Sequence, residues 1–334
     1  MIASLPASWP NRAVLWIRWT VQLMEVVLHL GVHRTGTTTF HQYLDDQRAD
    51  LACARSAYWV PPKNGQSLFP GLFRKTFARK GRNVMHRAIG RIGVHAAQMQ
   101  KQGMEQLLIS DQGILGSCAQ NLRSEQLYPG AGERTARLVS AFSGGVQRII
   151  LSIRAPDLWW ASACASTVSR GYPVPAAARY EAIANSRRSW RDVITDIACA
   201  APEAEITVLP FESYAGRPEH LLTVALGRSA VPDAKMRWLN RSPDARALRR
   251  TLREQGTDPD VIADQDGRWQ PFNPDQTARL RENYADDLHW LIAGADGLAT
   301  LKEDQAPIRA PHTAPPGFMT KGQAHDQGHM AQDG

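Results

Sequence analysis

A short apolar run, Glu25-Val26-Val27-Leu28-His29-Leu30, ends at Gly31, and five residues later Gly36 opens a threonine-rich stretch that continues as His41-Gln42-Tyr43-Leu44. The run is too short for a helix and reads as a buried strand, whereas the residues after Gly36 have helical potential. A strand, an anion-binding loop and a helix start in succession point to an α/β fold. The unpaired N–H groups of a helix start and the helix dipole together favour phosphate. A common nucleotide loop places Lys directly after its second glycine to grip the β- and γ-phosphates. Here Thr37 stands in that place, and the cation lies inside the loop at Arg34.

His33-Arg34-Thr35-Gly36-Thr37-Thr38 resembles the 5′-phosphosulfate loop of the sulfotransferases, in which Lys or Arg precedes Ser/Thr-Gly-Thr-Thr. A second segment carries the likeness further. The strand-like Gln147-Arg148-Ile149-Ile150-Leu151-Ser152-Ile153 runs into Arg154-Ala155-Pro156, with Ser162 eight residues after the arginine. The resemblance implies that the donor is 3′-phosphoadenosine 5′-phosphosulfate (PAPS), that Arg154 and Ser162 hold its 3′-phosphate, and that Arg34, Thr35, Gly36, Thr37 and Thr38 hold its 5′-phosphosulfate. The chemistry agrees, since a guanidinium grips phosphate oxygens in bidentate fashion and a hydroxyl donates to another oxygen. A softer match lies at Phe211-Glu212-Ser213-Tyr214, followed by a helix signal closing in Leu226-Gly227. Tyr214 takes the place of the family's usual Leu, and Glu212 reads as a structural hydrogen-bonding residue. Gly267-Arg268-Trp269 is similar to the family's donor-covering loop, which makes Arg268 a further 3′-phosphate ligand.

Strand signals at 26–30, 107–110, 149–153 and 206–209, alternating with helix signals, predict a three-layer α/β/α fold with a central, mainly parallel sheet, P-loop NTPase-like in its first loop. A chain of 334 residues with 43% hydrophobic residues can bury such a core. No internal repeat is visible. One domain over 24–301 is expected, between a poorly constrained lead-in (1–23) and a polar, disordered tail (302–334). The apolar piece 57–60 stops at Pro61-Pro62. Between Gly71 and Gly103 lies a basic amphipathic segment, with Arg74, Lys75, Arg79, Lys80, Arg82, Arg87 and Arg91, readable as a solvated helix face or as a surface facing an acidic or polyhydroxylated acceptor. Ile183, Trp190, Ile194 and Ile197 share one helical face across 180–200, and a charged helix runs through Arg253.

A net charge of +7 suits an acidic ligand such as a bisphosphorylated nucleotide. The basic residues come with no nucleic-acid reading motif, so nucleic acid is not expected as a partner. Cys53, Cys118, Cys164 and Cys199 form no metal or disulfide pattern and read as buried small hydrophobes. Arg12, Arg18 and Glu25 interrupt the apolar N-terminal stretch before a spanning length is reached. A cytoplasmic enzyme is expected, with room for a peripheral membrane contact through Trp16 and Trp19. His312, His325 and His329 in the tail read as solvated.

In such an enzyme Arg34 would stabilise the leaving oxygen without any metal. The acceptor hydroxyl needs a base. Asp111, at the end of the strand Gln106-Leu107-Leu108-Ile109-Ser110, is the first candidate, although the family commonly has Ser-x-Glu where this chain has Ser110-Asp111-Gln112. His33 is the second, with a structural role at least as plausible, and His29 reads as a core histidine. A small-molecule or glycan hydroxyl, carbohydrate first, is the expected acceptor. The competing classes are a P-loop kinase or NTPase, against which Thr37 counts, and a non-catalytic nucleotide- or glycan-binding relative.

Overall fold

The computed structural model describes residues 24–303, apart from 64–65, 74–78, 144, 234 and 236, and gives the backbone alone for 79–82. The lead-in with Trp16 and Trp19, the tail from 304 onward with its histidines, and the side chains of Arg74, Lys75, Arg79, Lys80 and Arg82 lie outside the described residues.

The chain runs β1 (Glu25–Gly31), α1 (Thr37–Asp46), α2 (Arg48–Cys53), β2 (Ser56–Trp59), α3 (Arg79–Lys101), β3 (Gln106–Ser110), α4 (Cys118–Ser124), α5 (Ala131–Ala141) and β4 (Val146–Ile153). It continues with α6 (Pro156–Val168), α7 (Ala177–Ala184), α8 (Trp190–Ala200), β5 (Glu205–Pro210), the single turn α9 (Phe211–Tyr214), α10 (Pro218–Leu226), α11 (Ala245–Glu254), α12 (Pro274–Ile292) and β6 (Thr300–Leu301). The strands form one sheet in the order β2-β3-β1-β4-β5-β6, and every described pairing is parallel.

Side chains alternate across a strand with a period of two, and the sheet uses this to feed two separate cores. Val26, Leu28 and Leu30 join Leu107, Ile109, Ile149, Leu151 and the buried faces of α3, α5, α6, α8 and α12 on one side. Val27 joins Leu108, Ile150, Leu209 and residues of α1, α2 and α10 on the other. Helices therefore cover both faces, and the three layers expected from the sequence are present.

His29 falls on the second face, 99% shielded from solvent and edge-on to Phe40. Its Nδ1 meets Ser110 Oγ at 2.7 Å and its Nε2 meets Ser152 Oγ at 3.2 Å, while Ser110 Oγ also meets His41 Nε2 at 2.9 Å. Burial pushes His29 down to about 3 and His41 down to about 4, so both are neutral.

Three readings need correction. The apolar piece at 57–60 is the edge strand β2, and β6 adds an opposite edge that the sequence signals missed. Residues 180–200 form two helices, because Ser189 caps α8 in a capping box with Asp192 and thereby ends the earlier run. Cys118 and Cys164 are buried, whereas Cys53 and Cys199, at helix positions facing outward, are exposed. No helix among the described residues is long and apolar enough to cross a membrane.

After β1 the chain leaves toward β2, and after β4 it leaves toward β5, although β1 and β4 are neighbours. Connections that part in opposite directions open a crevice at the carboxyl ends of the two strands. Arg34 follows the end of β1, and Arg154 directly follows β4.

Candidate active site

The carbonyls of the loop from Val32 to Thr35 are all engaged by side-chain donors. Val32 O accepts from Thr35 Oγ1 at 2.6 Å, His33 O from Trp159 Nε1 at 2.7 Å, and Arg34 O from Arg154 Nη1 at 2.8 Å. Thr35 O receives a longer contact from Tyr214 Oη at 3.4 Å. The His33 N–H is given to Tyr128, whereas the N–H groups of the first turn of α1 have no intrahelical acceptor. Gly36, at φ 78°, is the N-cap of α1 and supplies no side-chain cap, which leaves those donors for a ligand. Gly31 is required for a different reason: a Cβ there would sit 2.5 Å from Thr37 Oγ1. That hydroxyl is buried without a partner against the end of β1.

Arg34 is held at φ 69°, a left-handed conformation that costs a non-glycine residue about 1–2 kcal/mol. Its side chain reaches Ser162 Oγ through Nε at 2.9 Å, and Asn240 O and Ser242 Oγ through Nη2, both at 2.9 Å. Ser162 and Ser242 meet each other at 2.5 Å. Arg154 is 5% exposed, lies 5.1 Å from the centre of the Phe211 ring, and keeps an unpartnered buried Nε.

These residues line a cleft of about 450 Å³, together with Gly36, Thr37, Thr38 and Arg268. Of the predicted donor residues only Thr35 lies outside it, buried beneath the loop, where its carbonyl and hydroxyl shape the turn. The cleft is crowded with positive charge. Arg34, Arg154 and Arg268 have no carboxylate within ion-pair distance among the described residues. Burial, then repulsion from Arg268 and Arg34, holds Arg154 down to about 10; burial followed by Arg170 and Arg268 lowers Arg34, and burial followed by Arg241 lowers Arg268. Buried like charges of this kind need an anion.

Asp111 and His33 lie in a second cavity of about 560 Å³, which borders the first at Gln112. Asp111 is 5% exposed and its Oδ1 accepts the Gly113 N–H at 2.7 Å. Burial raises its pKa to about 6, against the smaller opposing effects of that bond and of Arg134. A carboxylate so poised can take a proton near neutral pH. Arg134 is itself occupied, donating to Ile114 O and Gly113 O at 2.6 Å and lying over Phe73.

His33 is anchored at both ends. Its backbone N–H donates to Tyr128 Oη at 2.9 Å, and its Nδ1 meets the same oxygen at 2.9 Å. Burial pushes the Tyr128 hydroxyl well above its ordinary pKa, so the oxygen keeps its proton and donates it to Nδ1. Nε2 then carries the imidazole hydrogen, and burial followed by nearby Arg170, Arg34 and Arg134 pushes the ring down to about 4. His33 is thus a neutral ring that braces the loop, and Asp111 is the stronger of the two candidates for a base.

Glu212 takes a structural position, accepting from Ala155 N at 2.9 Å and from Tyr284 Oη at 3.1 Å. The residues that sequence reasoning missed are Gln112 at the junction of the cavities, Phe211 beneath Arg154, and the Asn240 and Ser242 pair that grips Arg34. Comparison with protein-family models, with curated proteins and with solved structures returns no match for this chain.

Proposed function

We propose that this protein is a sulfotransferase that moves the sulfuryl group of PAPS to an acceptor hydroxyl, first of all that of a carbohydrate. The observation that carries the reading is the convergence of Arg34, Arg154 and Arg268, without carboxylate partners among the described residues, on an uncapped helix start. The cleft volume lies in the range of small-ligand sites, and the orphaned Arg154 Nε supplies a further buried donor for a phosphate oxygen. The loop amides and Arg34 would hold the 5′-phosphosulfate, with Arg154, Ser162 and Arg268 on the 3′-phosphate.

In the transfer, the bond between sulfur and the bridging phosphate oxygen breaks as a bond from sulfur to the acceptor oxygen forms. Negative charge grows on the leaving oxygen, where Arg34 is placed to stabilise it, and Asp111 takes the acceptor's proton. Fixed cations aimed at developing charge supply most of the effect, by analogy with phosphoryl transfer. The four unpaired cysteines fit a reducing, cytoplasmic setting.

The test is thermal stabilisation by adenosine 3′,5′-bisphosphate compared with AMP and with ATP plus Mg²⁺, followed by transfer of labelled sulfate from PAPS into separated glycan, lipid and small-molecule fractions. The bisphosphate is expected to stabilise most and glycans to be labelled. Equal stabilisation by AMP, or preferential stabilisation by ATP with Mg²⁺, overturns the reading.

A further inference from the structure

Of the 39 Lys and Arg residues, ten lie in 51–104, a stretch with no Asp or Glu; the remaining 29 stand against all 32 acids, so the whole surplus of +7 originates in this one segment. The fold places the segment at the second cavity. Pro61, Phe69, Gly71 and Phe73 line that cavity, and α3 packs directly behind them. Arg91, on α3, donates from Nη2 to Pro70 O at 2.7 Å, between two lining residues. A Cβ on Gly71 would meet Val84 of the same helix at 2.5 Å.

The described cations divide into two groups. Arg55 and Lys63 have acidic partners, Glu105 and Asp45. Arg87, Arg91 and Lys101 are exposed on α3 and have no acidic partner among the described residues. At 1.5 Å per residue, the three described cations from Arg87 to Lys101 form a basic track of about 21 Å along α3 beside the cavity rim.

We propose that this track and cavity together take a linear anionic polysaccharide, with the reacting hydroxyl at Asp111 and the flanking anionic sugars along Arg91 and Arg87. The proposal rests on the sulfotransferase reading and narrows its acceptor. An isolated neutral sugar would need none of this charge, whereas a repeating anion gains from each cation it meets. A membrane surface fits less well. Interfacial helices present Trp, Phe or Leu on one face, but α3 turns Ala88 and Ile92 into the core and exposes only Val94 among its large apolar side chains. Single-stranded nucleic acid calls for exposed aromatic platforms, and none of the exposed large hydrophobic side chains on α3 is aromatic.

The test measures binding of the full chain to polygalacturonate fragments, to neutral dextran of equal length, to phosphatidylglycerol vesicles and to duplex DNA, at two salt concentrations. The polyuronate is expected to bind best, and the double variant Arg87→Glu/Arg91→Glu to weaken it at least tenfold and flatten its salt dependence. Adenosine 3′,5′-bisphosphate binding should be unchanged in that variant, which also shows that it is folded. Equal affinity for dextran, an undiminished affinity in the double variant, or tighter binding to vesicles or DNA overturns the proposal. Failure of these arms with bisphosphate binding intact leaves the sulfotransferase reading standing. A wild-type chain that does not bind the bisphosphate removes that reading itself.

Discussion

The two cavities at the carboxyl end of the sheet meet at Gln112 and are otherwise opposites. One is lined by four guanidinium groups, those of Arg34, Arg154, Arg241 and Arg268, none with an ion-pair partner among the described residues, while its one carboxylate, Asp244, caps α11. The other holds a single shielded carboxylate whose pKa is raised to about 6, and its rim comes from a segment without acids. In the proposed reading the first holds an anion as charge builds on it, and the second receives a proton. Separating the two tasks keeps Asp111 out of ion-pair distance of the donor-side arginines, where its carboxylate would be held ionised and too weak a base.

The sharpest way to break this contrast is Asp111→Asn. Turnover should fall about 10²- to 10⁴-fold, the usual yield of a positioned base, while bisphosphate affinity is retained. Stability should move the other way. A carboxyl whose folded pKa lies above its unfolded value is favoured by protonation, a contribution present below the unfolded value and lost as pH rises through about 6. At pH 7 the buried charge is therefore a liability, and Asn should raise the unfolding free energy by on the order of 2 kcal/mol. A variant that is both active and less stable would show that Asp111 serves only the fold. The wild-type rate should correspondingly rise through about pH 6 and flatten above it.

Next in size is Arg34→Ala, for which kcat should drop about 10²- to 10³-fold, more than the affinity for the 3′,5′-bisphosphate does. Arg34→Lys should recover part of the rate, because one point charge suffices for one oxygen. If Arg34→Ala turns over at the wild-type rate, the donor cleft is only a binding site. Arg154→Ala sharpens the other end of that cleft. Loss of a charge-assisted contact worth about 1.5–3 kcal/mol should weaken the bisphosphate tenfold or more and leave AMP nearly unchanged. Equal losses for both nucleotides would move the 3′-phosphate elsewhere.

The smallest expected effect per residue concerns acid. His29, His33 and His41 are all neutral in the folded protein, so their contribution is full above the unfolded value near 6.5 and is lost as pH falls below it. Each should cost about 1–2 kcal/mol by pH 5. Urea unfolding midpoints at pH 7.5, 6 and 5 measure this, and a midpoint that stays constant would mean that the rings are solvated.

The arginine-lined cleft was legible in the sequence because its geometry is local. Gly31, Gly36 and the threonines dictate a main-chain turn, and Arg154 follows its strand directly, so residue type and spacing carry the information. The strand at 57–60 was seen only as an apolar piece, and β6, two residues long, has too little pattern to register. The grip on Arg34 could not be read in this way. Asn240 contributes a backbone carbonyl, 206 positions away, which no side-chain pattern reveals. The bracing of His33 comes from Tyr128, 95 residues distant, and Gln112 matters only because two cavities happen to border it. The acid-free stretch was visible from the outset as a basic segment, but the cavity it borders became visible only in three dimensions.

The buried chain from Ser152 through His29 and Ser110 to His41 works as a key for strand alignment. β1 is flanked by β3 and β4, and on apolar matching alone its Val and Leu residues would tolerate sliding along either neighbour. A slip by one residue would turn the imidazole to the other face and take from it both serine partners that satisfy its two ring nitrogens. Alternative alignments are thereby penalised, and the loop that begins three residues after His29 is delivered at one fixed height above the sheet.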